Sequence, residues 1–559
     1  MPDPLKVGLI VDDETLNKYD YELVQWANLS DSLRITHLII QKRNGVHFRK
    51  SSLWMKLRRR SFRSIIVDGL WKVLWTLKER METRELNGID SLKDADTRVS
   101  AHDIALERIT VVPQISKSGF VYRYLEEDLQ RIRDEKFDIL IRGGSGILRG
   151  GVLTSARLGV LSFHHGDNTV NRGGPAGFWE VYHGWPKTGF VIQRLTEELD
   201  GGDVVFRGYA TTERSHLVNR AMVRRKSYSH LRRVLSQIAA KRELPIREPP
   251  TPYSGPLYVK PGVSQLAMYL AKRTYRSIRG RTRGAMGLQE RWGVSFIKSN
   301  WVNAALWRGI QLKTPEGSFL ADPFVVEREG RTCVFVEEYR FGIGKAHISV
   351  YELGQNESHK LGEALNERFH LSFPFLFDYR GELFMCPESV EAREIRIYRC
   401  LEFPLRWKLE CVAIKNVPAA DSMIFEYGGR WWLFTNLCES DPIENSTELH
   451  IFSAADPLSG AWTPHHRNPV IVDPEGGRNG GLLFNNGDIV RVSQLQGFDS
   501  YGSAARLMQI KLLSEEAYEE TLLCNLTPTF SKGISGTHHL HSNGRYTVWD
   551  FKRRERIRA

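Results

Sequence analysis

Residues Gly159 to Asp203 read GVLSFHHGDNTVNRGGPAGFWEVYHGWPKTGFVIQRLTEELDGGD. A short apolar strand pattern ends at His164, and Asp200 lies on a glycine-rich turn, after a helix pattern and a second strand pattern. In a parallel α/β sheet, a strand-helix-strand return would bring both side chains to the same edge. There the imidazole and the carboxylate could move protons during acyl transfer. The alternative is that the histidine bonds a loop carbonyl and the aspartate caps a turn.

The sequence before this stretch alternates strand and helix patterns, which is typical of a parallel sheet. Short β-type runs occupy 6–11 and 35–40, with helical spacing between them at 21–26. A buried-strand pattern at 139–141 leads into a glycine-rich loop, a position that marks the carboxyl edge of an open α/β sheet. This loop matches neither the dinucleotide-binding fingerprint nor a P-loop, so it does not specify a nucleotide.

Length and charge limit the possible classes of protein. A chain of 559 residues is expected to form two or three domains, and its net charge of +12 suits an anionic substrate, nucleic acid or a membrane surface. The first residues do not resemble a signal peptide, and no apolar run is long enough to span a bilayer. The six cysteines show no metal-ligand spacing, so we predict buried thiols, a cytoplasmic protein and no metal site.

Several basic segments accompany the predicted sheet. The patterns at 53–81 and 216–239 predict amphipathic helices with many basic residues, which we interpret as solvated faces. Peripheral contact with a membrane surface is the alternative function of these charges, and nothing points clearly to nucleic acid. Prolines between 245 and 261, followed by a basic segment, predict a linker over 245–290.

The motifs between 138 and 205 resemble the catalytic core of the folate-dependent formyltransferases. That core has an Asn-x-His triplet, an Arg-Gly pair, a short helix, a Thr-Gly strand and an Asp-x-Gly turn. The counterparts in this chain follow in the same order: Ser162-Phe163-His164, Arg172-Gly173, Phe178 to His183, Thr188-Gly189 and Asp200-Gly201-Gly202. The resemblance implies a Rossmann-like domain over 1–244 that uses 10-formyltetrahydrofolate as formyl donor. It assigns catalysis to Ser162, His164 and Asp200, folate binding to Arg142, Gly143, Gly144 and Ile147, and substrate contacts to His165 and Asn168.

The chain departs from the family at the first residue of the triplet, where Ser162 replaces asparagine. A hydroxyl can donate one hydrogen bond, but it is shorter than a carboxamide, and loss of one oxyanion donor typically costs about 3 kcal/mol. Either Asn168, His165 or a backbone N–H compensates, or the transferred group is not formyl.

The C-terminal part contains five copies of one pattern: a short β run, a turn ending in glycine, and a second, aromatic-rich β run. The turn glycines recur at intervals of about 50 residues, which fits propeller blades of about four strands each. They are Gly330, Gly381, Gly429, Gly487 and Gly544. We therefore predict an all-β five-bladed propeller over 291–559.

This part resembles the five-bladed propellers of glycoside hydrolases and, more closely, the propeller domain of glucosamine inositolphosphorylceramide transferases. The matching segments include Ala321-Asp322-Pro323-Phe324 and Gly429-Arg430-Trp431-Trp432. The resemblance places Asp322, Glu388, Asp421 and the His538-His539 pair near the propeller axis, with the three carboxylates as substrate contacts. Because Phe373 stands where a second blade carboxylate is expected, a binding propeller is favoured over an active hydrolase.

These features support three hypotheses. The leading one is an enzyme that transfers a formyl group to an amino group of a small molecule or glycoconjugate, with the propeller binding that substrate. The second is a glycoside-processing or glycan-binding propeller with a degenerate formyltransferase-like domain. The third is a non-catalytic adaptor for glycans or membrane surfaces.

Overall fold

The computed structural model describes residues 3–42, 62–198, 201–245, 248–249, 251–438 and 444–556. Asp200 and the basic residues Lys56, Arg58, Arg59 and Arg60 of the helix predicted over 53–81 lie outside the described residues. The chain divides into two compact units, residues 1–275 and 276–559.

The first unit contains twelve described strands. In chain order they are β1 Leu5–Val11, β2 Thr15–Asn17, β3 Leu33–Gln41, β4 Arg98–Ser100, β5 Glu107–Val111, β6 Gln114–Ile115, β7 Val121–Arg123, β8 Ile139–Arg142, β9 Ile147–Leu148, β10 Val160–His164, β11 Lys187–Arg194 and β12 Asp203–Thr211. The described helices are α1 Lys18–Asn28, α2 Phe62–Asn87, α3 Glu126–Asp134, α4 Phe178–His183, α5 His216–Lys241 and α6 Val263–Ala285, the last of which crosses the boundary between the units.

Seven of these strands form one sheet in the order β12-β11-β10-β8-β1-β3-β5. The five strands from β10 to β5 are parallel, and their apolar runs are buried as expected for strands covered on both faces. Strand order reverses between β1 and β8, and open α/β sheets bind ligands outside the carboxyl ends of strands at such a switch point. The glycine-rich loop after β8 lies there.

One predicted connection differs from the structure. The expected parallel return after His164 is absent, because β11 runs antiparallel to β10. His164 lies opposite Val191, while Arg194, at the end of β11, lies opposite Leu161. The chain therefore leaves β11 beside the amino end of β10, not beside the end that carries His164.

The segment predicted as a linker, 245–290, contains helix α6. In the first half of α6, the side chains of Leu266 and Tyr269 are buried. Tyr269 donates to Glu82, which also accepts a 2.7 Å hydrogen bond from Lys78, and both side chains of this ion pair are fully buried on α2. The apolar residues Ile66, Leu70, Val73 and Leu77 of α2 are exposed instead. Among the described residues, no helix has the length and apolar character needed to cross a membrane.

The second unit is built from β-strands. They are β13 Leu288–Ile297, β14 Ile310–Gln311, β15 Ser318–Arg328, β16 Arg331–Arg340, β17 Lys345–Leu353, β18 Ser358–Leu365, β19 Ser372–Tyr379, β20 Glu382–Glu388, β21 Glu394–Glu402, β22 Arg406–Lys415, β23 Ala420–Tyr427, β24 Arg430–Asn436, β25 Glu448–Ala454, β26 Thr463–Pro464, β27 Ile471–Val472, β28 Asn479–Asn485, β29 Asp488–Gly497, β30 Ser500–Leu513, β31 Tyr518–Leu526, β32 Ile534–Gly536, β33 Leu540–Ser542 and β34 Thr547–Arg556.

These strands form five antiparallel sheets in a propeller-like ring. The first strands of successive sheets, β15, β19, β23, β28 and β33, contact one another in order, and β15 also contacts β33. The ring closes in one sheet, where β13 pairs with β34 over ten residues. The five predicted glycine turns all join paired strands, and each glycine has positive φ, as tight hairpin turns require.

The six cysteines are all free thiols. Cys333, Cys386 and Cys438 are buried, as predicted, whereas Cys524 is exposed. Burial raises the pKa of the Cys333 thiol to about 12, so this side chain behaves as a small apolar group.

Candidate functional site

The first candidate site lies at the carboxyl ends of β8 and β10 in the first unit. Ser162 is buried on β10, and its Oγ lies 3.3 Å from Nη1 of Arg142, which ends β8. The same guanidinium donates to the backbone oxygen of Gly146, so Arg142 ties β10 to the glycine-rich loop. This arrangement places one guanidinium nitrogen of Arg142 beside the serine that stands at the asparagine position.

The glycine-rich loop is held against β1. The backbone N–H groups of Gly143 and Gly144 donate to the carbonyl of Ile10 at 2.9 and 2.8 Å. A side chain at Gly144 would approach Gln41 Nε2 within 2.7 Å, so close packing requires glycine there. The next residue, Ser145, donates through both N–H and hydroxyl to the carboxylate of Asp12. Ile147 lies beyond the loop on β9, half-buried.

The two adjacent histidines are in different environments. His164 is buried, with Nε2 2.7 Å from the backbone oxygen of Asn171, as in the loop-carbonyl alternative. His165 Nε2 lies 3.1 Å from the hydroxyl of Ser227. Desolvation, reinforced by the nearby Arg224 guanidinium, lowers the pKa of His165 to about 3. His165 is therefore neutral near pH 7 and can accept or donate a hydrogen bond there.

A cavity of about 290 Å³ opens beside Asn168. Its lining includes Arg172, Arg207, Tyr253 and Gly201–Gly202, the two glycines that follow Asp200. Asn168 accepts a 2.9 Å hydrogen bond from Arg207 through its side chain. The sheet edge thus gathers Arg142, Ser162 and His164, whereas Asn168 lies in a separate polar cavity.

The second candidate site lies on the first strands of the propeller-like unit. Asp322, Phe373 and Asp421 are each the first of two unpaired residues in the same β-bulge, and each has φ between 45° and 49°. Non-glycine residues with positive φ are uncommon and concentrate at functional sites. The repeated bulge therefore presents one special position per sheet, filled by a carboxylate in two sheets and by phenylalanine in the sheet between them.

The structure brings Glu388 and Asp421 into direct contact. The Asp421 N–H donates to Glu388 Oε2 at 3.3 Å, and the two carboxyl groups are within hydrogen-bonding reach of each other. Arg478 joins them, with its Nε 2.6 Å from Asp421 Oδ2 and its Nη2 3.5 Å from Glu388 Oε2. Gln494 Nε2 donates to Asp421 Oδ2 at 3.1 Å.

Asp322 is paired with a different set of side chains. Its Oδ1 lies 3.8 Å from Nδ1 of His539 and 4.0 Å from Nε2 of His538. His538 Nδ1 also contacts the fully buried carboxylate of Asp550 through its Oδ2. The other oxygen, Oδ1, accepts hydrogen bonds from the backbone N–H groups of His538 and His539. The indole of Trp292 stacks on His538 with ring centroids 4.0 Å apart.

We call Asp322, Glu388, Asp421, Arg478, His538 and Asp550 the axial cluster. It contains four carboxyl groups, one guanidinium and one imidazole. Burial, followed by repulsion from Glu337, Asp421, Asp550 and Glu388, raises the pKa of Asp322 well above its usual value. Burial and Asp421 raise the pKa of Glu388 to about 8, against the lowering effect of Arg478. Burial and mutual repulsion therefore both favour the protonated, neutral forms of Asp322 and Glu388.

An aromatic surface borders the axial cluster. Tyr501 is 41% exposed, its ring contacts His538 edge-on at 5.2 Å, and the guanidinium of Arg478 lies 5.3 Å from its centroid. Sugar rings bind proteins through such combinations of an exposed aromatic face and charged hydrogen-bonding groups.

Residues 309–542 match the family model described as glucosamine inositolphosphorylceramide transferase 1, N-terminal. The glucosamine inositolphosphorylceramide transferase 1 of Oryza sativa subsp. japonica is 38% identical over 208 residues, which make up 36% of this chain. The chain spans only 28% of the length of that curated relative. The residues that match the family model lie within the propeller-like unit. The predicted resemblance of this unit to the glucosamine inositolphosphorylceramide transferases is therefore confirmed.

Two solved structures are also similar. A family 117 glycoside hydrolase from Zobellia galactanivorans aligns with 47% of this chain and 90% of its own, at 9% identity and a TM-score of 0.32. Glycinamide ribonucleotide transformylase 1 from Symbiobacterium toebii aligns with 43% of this chain and 91% of its own, at 12% identity and a TM-score of 0.28. Neither similarity is high enough to assign an activity. The family model leaves the first unit unmatched, and formyl transfer has no support from it.

Sequence reasoning placed Asp322, Glu388, Asp421 and the His538-His539 pair near the axis but missed Arg478 and Asp550. Arg478 directly precedes β28, and Asp550 lies on the closing strand β34. The signal for Asp550 is its place in the Trp549-Asp550-Phe551 run, where a charged residue interrupts a buried aromatic pattern. Arg478 carries no comparable signal, because it stands outside the strand whose pattern defines the repeat.

Proposed function

We propose that the propeller-like unit binds a glycoconjugate through a protonated amino sugar at the axial cluster, as the recognition part of a glycoconjugate-modifying transferase. The observation that carries this proposal is the direct contact of Glu388 with Asp421, joined by Arg478. The excess of carboxyl groups offers a binding site for an ammonium group, and Tyr501 offers a face for the sugar ring. The relatives' name, which contains both glucosamine and transferase, agrees with this chemistry.

Binding is favoured over glycoside hydrolysis on geometric grounds. Glycosidases hold their two carboxyl groups about 5–5.5 Å apart for retention and about 6.5–9.5 Å apart for inversion, so that the scissile bond fits between them. Arg478 Nε lies 2.6 Å from Asp421 Oδ2 and its Nη2 lies 3.5 Å from Glu388 Oε2, so one guanidinium bridges the two carboxyl groups. A carboxyl pair held by a guanidinium in this way is engaged in an ion pair, which favours binding over hydrolysis.

Calorimetric titration of the full chain tests the proposal. A short β-1,4-linked glucosamine oligosaccharide should bind, and its fully N-acetylated counterpart should bind at least about 10-fold more weakly because it lacks the ammonium charge. Asp322→Asn should weaken binding of the amine form and leave the acetylated form little changed. Equal affinity for the two sugars, or no binding of either, would contradict the proposal.

A second candidate function belongs to the first unit: transfer of a formyl group from 10-formyltetrahydrofolate to an amine. The observation that favours it is the placement of Arg142, Ser162 and His164 at one sheet edge beside a glycine-rich loop. The Arg142 guanidinium would supply the N–H donors that the family's asparagine provides, with Ser162 holding it in place. Calorimetry with a non-reactive folate analogue tests this function, since an absence of heat at high concentration would exclude it.

A further inference from the structure

A buried imidazole faces two carboxylates at the opposite edge of the first unit's sheet. His37 lies on β3, Glu107 begins β5 and pairs with His37 across the sheet, and Glu135 lies four residues before β8. The three residues therefore meet near the amino ends of β5 and β8, whereas Arg142 and His164 lie at the carboxyl ends. This cluster belongs to neither candidate site described above.

The geometry of the cluster matches a metal coordination shell. His37 Nε2 lies 3.2 Å from Glu107 Oε2 and 3.3 Å from Glu135 Oε2. Tetrahedral zinc sites have bonds of about 2.0–2.1 Å, and two ligands at such distances stand about 3.3 Å apart. All three ligand atoms lie within 4.8 Å of one another.

The imidazole is oriented for coordination. Its side chain is 3% exposed, and Nε2 makes no hydrogen bond with acceptable geometry although it is fully buried. The other ring nitrogen, Nδ1, lies 2.8 Å from the hydroxyl oxygen of Thr36. That oxygen can accept a hydrogen bond from Nδ1–H, which leaves the Nε2 lone pair directed at the carboxylates. Metal-bound histidines are held in this way by a hydrogen bond at the second nitrogen. Phe137 packs edge-on against the ring at 5.0 Å.

The two carboxylates differ in their freedom to move. Glu107 is 78% exposed and ends in solvent, so it can move to complete a shell. Glu135 is 33% exposed and is held by Lys6. Lys6 Nζ lies 2.8 Å from Oε2 of Glu135, the same oxygen that faces His37. Lys6 would therefore compete with a metal ion for that oxygen.

We propose that His37, Glu107 and Glu135 form a binding site for a divalent transition-metal ion of the zinc class. One imidazole nitrogen and two carboxylate oxygens are the ligand types that suit zinc, and a water molecule would complete a four-coordinate shell. A bound ion would link β3, β5 and the end of α3. Because the cluster lies at the amino edge of the sheet, away from the carboxyl-edge site, we assign the ion a stabilising role in the first unit.

Titration of the metal-free full chain with ZnCl2 tests the proposal. An Asp322→Asn background disables Asp322, His538 and Asp550, the second group of metal-ligating side chains among the described residues. We expect one zinc ion to bind per chain and to raise the melting temperature of the first unit by about 5 °C at 100-fold excess over Kd. Substitution of cobalt should give visible absorption bands of a tetrahedral site.

Three variants distinguish a metal site from a protonated histidine held by two ion pairs. Glu107→Gln should weaken zinc binding at least about 10-fold and, because Glu107 is exposed, should leave the protein folded. Lys6→Gln should strengthen binding by about 2- to 5-fold, since it removes the competing cation from Glu135. Glu127→Gln, at an exposed position on α3 outside the cluster, is the matched control and should change nothing.

The variants also define what would overturn the proposal. If zinc fails to bind, or binds with the same affinity to Glu107→Gln as to its parent, the cluster is an ion-pair network and not a metal site. Weaker zinc binding in Lys6→Gln would lead to the same conclusion, because it would show that Lys6 supports the site instead of competing for it.

Discussion

Replacement of Arg478 by methionine removes the cation that joins Glu388 and Asp421. Asp421 is 2% exposed and would keep only its side-chain hydrogen bond from Gln494, since Arg478 donates the 2.6 Å bond that neutralises it. Breaking a buried pair by removal of one partner typically costs about 3–5 kcal/mol. Because Glu388 can share a proton with the stranded aspartate, we expect a cost near the lower value, about 3 kcal/mol.

Urea unfolding of the full chain, followed by tryptophan fluorescence, measures this cost. The double variant Arg478→Met/Asp421→Asn should recover much of the loss. Arg406→Met is the control, because Arg406 and its partner Glu402 are both more than 60% exposed, and it should leave stability unchanged. If Arg478→Met is as stable as wild type, or if the double variant is no more stable than Arg478→Met, then Arg478 does not stabilise the fold by neutralising Asp421.

Three further perturbations have defined outcomes. Gly173→Ala should destabilise the first unit by several kcal/mol, about 3 or more, because its Cβ would lie 1.7 Å from a backbone oxygen, whereas Gly174→Ala meets no atom within 4 Å and should be tolerated in thermal unfolding. Lys78→Met should cost about 3–5 kcal/mol in urea unfolding by stranding buried Glu82, and Lys78→Met/Glu82→Gln should restore part of it. Glu388 holds its proton more tightly when folded, so the propeller-like unit should lose stability as pH rises from about 4.5 to about 8, and Glu388→Gln should flatten that decline.

The strands of both units follow from local patterns. The alternation of apolar residues and the glycine turns predict the five sheets of the second unit, because a hairpin requires positive φ at its turn and a period of two in its strands. The parallel core of the first unit follows from its uninterrupted apolar runs. The direction of β11 does not, since a strand buried on both faces has the same pattern whether it runs parallel or antiparallel to its neighbour.

Residue contacts across long sequence separations were less predictable. Asp322 and Asp421 could be predicted because each occupies the same place in a repeated motif. Arg478 and the cluster of His37, Glu107 and Glu135 could not, because their members share no motif and come together only when the sheets form. The exposed apolar stripe of α2 was unexpected for a related reason: the face that packs against α5 and α6 is the one that carries the Lys78–Glu82 ion pair.

The proposed function requires that the axial cluster binds an amino sugar without cleaving it. Incubating the full chain with a fluorescently labelled glucosamine oligosaccharide, and measuring both bound ligand and released monosaccharide in the same sample, tests it directly. We expect saturable binding that Asp322→Asn weakens, with the oligosaccharide recovered intact. Release of free sugar that Glu388→Gln abolishes, or an absence of binding, would contradict it.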